Sequence, residues 1–277
     1  MADFAKEAMA QNINFVAKFT TDLHNLMNVL GKTQVQVMAP GTAYKIYKSS
    51  GTLSASAVAA KAEIPDSGYA MGEPTVVALT YSKYRNLTSI EDIGSKGYEV
   101  AVGGSNTAML KDVQKGIRTS IFTAIATGTG TATAATFQAK VAKAAAYISK
   151  KFEDEACTPV FFANPDDVYD YLGAHSITVE SNFGLSYLEN FMGIGNVVID
   201  SNVATGTVIG TATENLDLVA ASIGEIPGLD MYTDESGIIA VHNGATYSKA
   251  SLETVTYSGV GVQPVYLDRI VKVTTAA

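Results

Sequence analysis

Residues 105–136, SNTAMLKDVQKGIRTSIFTAIATGTGTATAAT, run a long helical pattern straight into a Gly/Thr/Ala stretch. Over 105–126, Leu110, Val113, Ile117, Ile121 and Ile125 recur at helical spacing and predict one buried stripe. Lys111, Lys115 and Arg118 fall at i, i+4 and i+7 and share the opposite, wet face. Ser105 or Asn106 is the expected cap. At a rise of ~1.5 Å per residue this helix is about 33 Å long, the width of a small domain. The following TGTGTATAAT, 127–136, lacks the Gly-Lys-Ser/Thr ending of a phosphate-binding loop and reads as a plain loop.

Downstream, Phe137, Val141, Ala144, Ile148 and Phe152 predict a second helix over 136–155. Glu153, Asp154 and Glu155 oppose its dipole, so that end should fray. In TPVFFANPDDVYDYL, 158–172, an apolar run reads as a buried strand. Asn164-Pro165 then turns the chain, and Asp166 and Asp167 suit a helix start. FMGIGNVVID and SNVATGTVIG, 191–210, supply two further strands, and the alternating tail 251–275 supplies more sheet.

Upstream, residues 1–30 read as an arm with a short amphipathic element: Phe15, Phe19, Leu23, Leu26 and Leu30 share a face and Gly31 stops it. The first dozen residues should need a neighbour to become ordered. Between Val35 and Tyr84, VQVM, TAYKIYKSS and TVVALTYSKYR favour strands, whereas 51–74 is Gly, Pro and small residues. Two strands closed by an irregular tip make an arm that leaves the body. Such an arm exposes edges and apolar groups, a liability for a monomer and useful in a polymer. The crowding of Tyr44, Tyr47, Tyr69, Tyr81 and Tyr84 here suits an interface. The order of elements is a mixed α+β layout.

Composition narrows the function classes. With 47% hydrophobic and 17% charged residues the chain is not disordered. No apolar run is long enough to span a membrane, and no secretory signal is evident, so a soluble cytoplasmic chain is expected. A lone cysteine, Cys157, excludes an intrachain disulfide and a Cys-based zinc cluster. The net charge of −8 divides as +2 over residues 1–125 and −10 over 126–277, suggesting two faces of unlike character rather than a basic nucleic-acid clamp. Catalytic and metal sites are both expected to be absent. His24, His175 and His242 lie far apart without ligand spacing, and Cys157 has no orienting base in sequence. The acidic clusters, Asp234-Glu235 among them, read as solvated surface. GGSNT, 103–107, reads as a cap and not an anion site, and no cofactor is implied.

Taken in order, these segments resemble the major capsid proteins of tailed bacteriophages, the Hong Kong 97-type fold. DVQKGIRTSIFTAIATGTGT resembles the family's spine helix, and VQVM…YSKYR its extended loop. FQAKVAKAAAYI, TPVFFANPDDVYDYLG and GIGNVVIDSNVATGTVI resemble its axial domain, and GVGVQPVYLDRIVKVTT its returning peripheral strand. The resemblance implies an N-terminal arm over 1–34, an extended β-hairpin loop over 35–84, a peripheral domain with the spine helix over 85–130 and 250–277, and an axial domain over 131–249. It implies a virion subunit assembled in the bacterial cytoplasm, with copies forming pentamers and hexamers into an icosahedral shell around double-stranded DNA. Tyr44, Tyr47, Lys48, Ile64 and Tyr69 would touch neighbouring copies, and Lys111, Lys115 and Arg118 would meet DNA without sequence preference. Scaffolding and portal proteins are implied partners, with no membrane contact. Some relatives carry a Lys–Asn isopeptide bond; Lys45, Lys48 and Lys61 lie in the arm, but no matching Asn stands out. The alternatives are an encapsulin-like shell with protein cargo, an unrecognised cytoplasmic α/β enzyme, or a tail or fibre-like structural protein.

Overall fold

The apolar stripe of the long helix is what the body is built around, and the order of elements follows from where its neighbours can pack. The computed structural model describes residues 2–32, 34–39, 41–54, 58, 62–153, 155–175, 177–182, 185–223, 230–233 and 235–276. The chain opens with α1 (Ala2–Val29), then β1 (Gln36–Met38), β2 (Ala43–Ile46) and β3 (Ser49–Ser50). It returns through β4 (Ala70–Met71) and β5 (Thr75–Ala78) into β6 (Ser82–Ser89). Next come α2 (Ile90–Lys96), a π-helical stretch (Glu99–Gly103) and α3 (Gly104–Ile125). β7 (Gly130–Ala134), α4 (Phe137–Lys151), β8 (Pro159–Ala163) and α5 (Pro165–Leu172) follow. β9 (Glu180–Asn182), β10 (Leu185–Phe191), β11 (Gly195–Ile199), β12 (Thr207–Ala212) and β13 (Leu216–Ala221) continue the sheets. The chain closes with β14 (Tyr232–Thr233), β15 (Ile239–Thr246), β16 (Ser251–Ser258), β17 (Val260–Pro264) and β18 (Val271–Thr275).

Three sheets form the body. The largest runs β7-β18-β12-β8-β11-β10-β9; a second runs β14-β15-β16-β6; a third runs β1-β13-β17. The apolar run Val160-Phe-Phe-Ala163 sits near the middle of the seven-stranded sheet and is buried on both sides. Val160 and Phe162 join α1 and α3 in one core, while Phe161 and Ala163 join α4 in the other, as the strand period of two requires. Leu110, Val113, Ile117, Ile121 and Ile125 of α3 are all buried, and so are Phe137, Val141, Ala144, Ile148 and Phe152 in and just after α4. Asn164 caps α5, its side chain accepting from the Asp166 amide at 2.9 Å, with Pro165 at the first helical position. Glu153 and Glu155 lie beyond the end of α4, and Glu155 accepts from Arg269 at 2.6 Å instead of opposing the dipole.

Three expectations change. α1 begins at Ala2 rather than near Phe15, and Gln11 and Asn12 are buried in it. The neighbours that order this half belong to the same chain: Asn106 donates to Gln11 at 3.1 Å and Asn243 donates to Asn12 at 2.5 Å. Residues 130–134 form a strand parallel to β18, not a loop. Its threonines face solvent while Gly130 turns inward, where a Cβ would stand 2.7 Å from the Tyr147 ring. Ser105 and Asn106 are not caps, because the helix runs back through the π stretch; Ser105 donates to the Ala101 carbonyl at 2.8 Å. The tail is shared among all three sheets: β16 pairs with β15 and β6, β17 with β13, and β18 with β12 and β7. Residues 249 and 250 lie in the turn between β15 and β16, and β6 pairs with β16 in the four-stranded sheet.

Candidate assembly surface

The arm itself is the hairpin between Ala43 and Ala78. β2 pairs with β5 in the register Ala43↔Ala78 to Ile46↔Thr75, and β3 with β4 further out. β-branched and aromatic residues (Tyr44, Ile46, Thr75, Val76 and Val77) make the β2–β5 ladder, whereas the short β3–β4 ladder is Ser49-Ser50 against Ala70-Met71. The described part of the tip is braced by its own polar groups: Ser54 donates from its amide to Ser67 Oγ at 3.2 Å and from its hydroxyl to the Pro65 carbonyl at 3.0 Å. Gly51 lies under Tyr69, where a Cβ would stand 2.4 Å from the ring, so the close approach needs glycine.

The five arm residues singled out from sequence divide into two groups. Tyr47, Ile64 and Tyr69 are 51, 80 and 63% exposed, and Leu53, Met71 and Val76 stand uncovered beside them. Tyr44 and Lys48 are half-buried and engaged by their own chain. The Tyr44 hydroxyl donates to Asp217 Oδ2 at 2.5 Å, and Lys48 Nζ lies 5.3 Å from the centre of the Tyr266 ring. Burial, helped by the Asp217 carboxylate, pushes the Tyr44 hydroxyl up to about 12. Asp217 and Tyr266, the receivers of these contacts, carried no signal in sequence, since each lies more than 170 residues from its partner. Lys45 is exposed, and Lys61 lies outside the described residues. A second uncovered apolar place surrounds a cleft of about 410 Å³ between α2 and the β15–β16 turn, with Ile90 and Tyr247 at its edge.

On α3, Lys111 and Lys115 project to solvent and Arg118 is half-buried. The face is exposed at its first two positions, and Asp112 lies beside Lys111. Elsewhere the reactive side chains are held by local contacts. His24 Nδ1 lies 2.8 Å from the Thr20 carbonyl and His175 Nδ1 2.9 Å from that of Tyr171, while His242 Nδ1 contacts the Asp230 carbonyl. Burial pushes the Cys157 thiol up, with Glu214 adding to the rise, away from a reactive thiolate. Among the described residues no three His, Cys, Asp or Glu come together in a way that could hold a metal. No helix among them is long and apolar enough to cross a membrane.

No family model matches the sequence, and neither does any curated protein. Solved structures do resemble the fold. The virus-like particle from Pyrococcus furiosus superposes with a TM-score of 0.55 at 12% identity, covering 92% of this chain and 99% of that one. The holo-SrpI encapsulin complex from Synechococcus elongatus PCC 7942 gives 0.54 at 8%, covering 87% and 84%. The capsid of the cyanophage P-SCSP1u gives 0.53 at 10%, covering 87% and 86%. These superpositions extend over most of each chain and identify the fold: the chain has the Hong Kong 97-type capsid fold.

Proposed function

We propose that the chain is a major capsid protein whose copies assemble as pentamers and hexamers into an icosahedral head around double-stranded DNA. The observation that carries this reading is the hairpin Ala43–Ala78, which presents Tyr47, Leu53, Ile64, Tyr69 and Met71 to solvent within a shell fold. A lone chain gains nothing by exposing them, whereas a neighbour lying under the arm buries them. Obligate interfaces commonly cover ~2,000–5,000 Å², enough to outweigh the ordering of an arm. In this reading the seven-stranded sheet with α4 and α5 is the axial part, and the four-stranded sheet with α3 the peripheral part. Lys111, Lys115 and Arg118 line the inner wall and meet DNA through phosphates. The role is structural and not enzymatic, and scaffolding and portal proteins complete the head.

The encapsulin-like reading draws on the same fold and differs in contents. The test is electron microscopy of the purified protein, alone and with its scaffold, followed by nuclease treatment and extraction of the particles. Closed shells holding nuclease-protected DNA are the expected result. Shells that hold a discrete protein and no DNA would select the cargo container, and a protein that stays monomeric under both conditions would overturn the shell itself.

A further inference from the structure

The hairpin meets the body through few side chains. Of its described residues only Ile46 belongs to the buried core. Beneath it opens a cleft of about 560 Å³ whose far wall is the C-terminal half of α3. That wall offers the arm little to hold, because the hydroxyls of Thr119, Ser120 and Thr123 donate back to the Lys115, Gly116 and Thr119 carbonyls of their own helix at 2.8–3.0 Å. The polar attachments lie elsewhere. Tyr44, on the outgoing leg, donates to Asp217 near the start of β13 at 2.5 Å. Tyr81, at the foot of the returning leg, donates to the Ser222 carbonyl just past the end of β13 at 2.7 Å. The two acceptors are five residues apart, about 17 Å along a strand. The same strand carries β1 in parallel pairing, and the Ser222 amide donates to the Met38 carbonyl at 2.7 Å.

We propose that Tyr44 and Tyr81 are struts that fix the attitude of the hairpin on β13 before any neighbour is met, with Ile46 as the pivot between them. Two hydroxyls spread along one rigid strand resist both rocking and twisting of the arm, which a single anchor cannot do. Lys48 Nζ, 5.3 Å from the centre of the Tyr266 ring, adds a third contact on the outgoing leg. The consequence for assembly rests on the shell reading: an arm already oriented loses less freedom on association, so assembly starts at a lower concentration. The strut itself does not depend on that reading.

The test is hydrogen–deuterium exchange of the full-length chain, comparing wild type with Tyr44→Phe, Tyr81→Phe and the double variant in one oligomeric state. Tyr47→Phe and Tyr69→Phe make the same chemical change at exposed positions of the hairpin and serve as controls. The expected result is that the double variant speeds exchange at the β2–β5 ladder roughly tenfold. Each single variant gives part of that, the controls give none, and exchange in α4 and β8 stays unchanged. Ladder amides that exchange at the free rate in wild type, or equal rates in wild type and the double variant, would overturn the proposal. So would an equal effect from the controls. Should the double variant not fold, Tyr81→Phe, whose acceptor is a backbone carbonyl and leaves no charge unpaired, decides alone. The threshold concentration for shells, read by light scattering, should rise several-fold in the double variant. A protein that makes no shells yet shows the exchange pattern would fail the functional reading and keep the struts.

Discussion

Tyr44 illustrates how a side chain chosen for one reason acts for another. Tyrosine-rich composition pointed to a surface, yet this ring is half-buried and its hydroxyl is spent on Asp217. Because the folded hydroxyl holds its proton to about 12, against 10 when free, folded protein binds more protons than unfolded protein between those values. Stability from this contact is therefore complete below about 10 and falls as pH climbs from about 10 to 12. A spectrophotometric titration of wild type minus Tyr44→Phe should isolate one phenol titrating near 12, later than the exposed tyrosines; a difference curve centred near 10 would remove the cause assigned to it. Arg269 makes a similar point about context. It bonds Glu155 through both arms of its fork, at 2.6 and 3.2 Å, and its guanidinium lies 4.3 and 4.5 Å from the centres of the Phe152 and Tyr266 rings. Only folding brings these four residues together.

At the scale of elements, periodicity was a good guide wherever one face had to be buried. The stripes of α3 and α4 are legible because a helix against a core repeats every three or four residues. The strand 159–163 is legible because burial on both faces leaves an unbroken apolar run. β7 was not legible, since Thr and Ala alternation in a Gly-rich stretch looks the same in a loop and in an edge strand; its partner β18 decides the matter. The N-terminal half of α1 was hidden for a related reason: its docking uses Gln11 and Asn12, which a search for apolar spacing passes over. The contrast between body and arm is measurable. Ile148→Ala, at a fully buried position of α4, should cost about 2–5 kcal/mol in a denaturant titration. Ile64→Ala, at a position 80% exposed, should shift folding stability by less than ~0.5 kcal/mol and, on the proposed shell reading, raise the concentration at which particles appear. Equal midpoint losses from the two would place Ile64 in the chain's own core.

For the whole molecule, the charge of −8 bears on the assembly proposed above. Like-charged subunits repel over ~8 Å at physiological salt and further at low salt. Shell formation followed by light scattering should thus begin at lower protein concentration as salt rises from about 0.05 to 0.5 M, until screening is complete. Inhibition by salt over that range would mean that ion pairs between copies, not apolar burial, dominate the contact. On the proposed reading the charge-reversing pair Lys111→Glu and Lys115→Glu touches a different step: both side chains are exposed, so particles should still close but retain less nuclease-protected DNA.

Legible in the linear order of residues were the class of fold, the long helix with its buried and wet faces, the second helix, the strand–turn–helix around Asn164, and a hairpin with no core of its own. These follow from local spacing, and local spacing survives in a linear string. It took the folded chain to reveal that α1 is a full helix docked through amides, that 130–134 is a strand, that the tail serves three sheets, and that Tyr44 and Lys48 contact their own body while Tyr47, Ile64 and Tyr69 stay exposed. The physical reason is common to all of them: each depends on a partner far away in the chain, and a residue's own neighbours in sequence carry no trace of what it will touch.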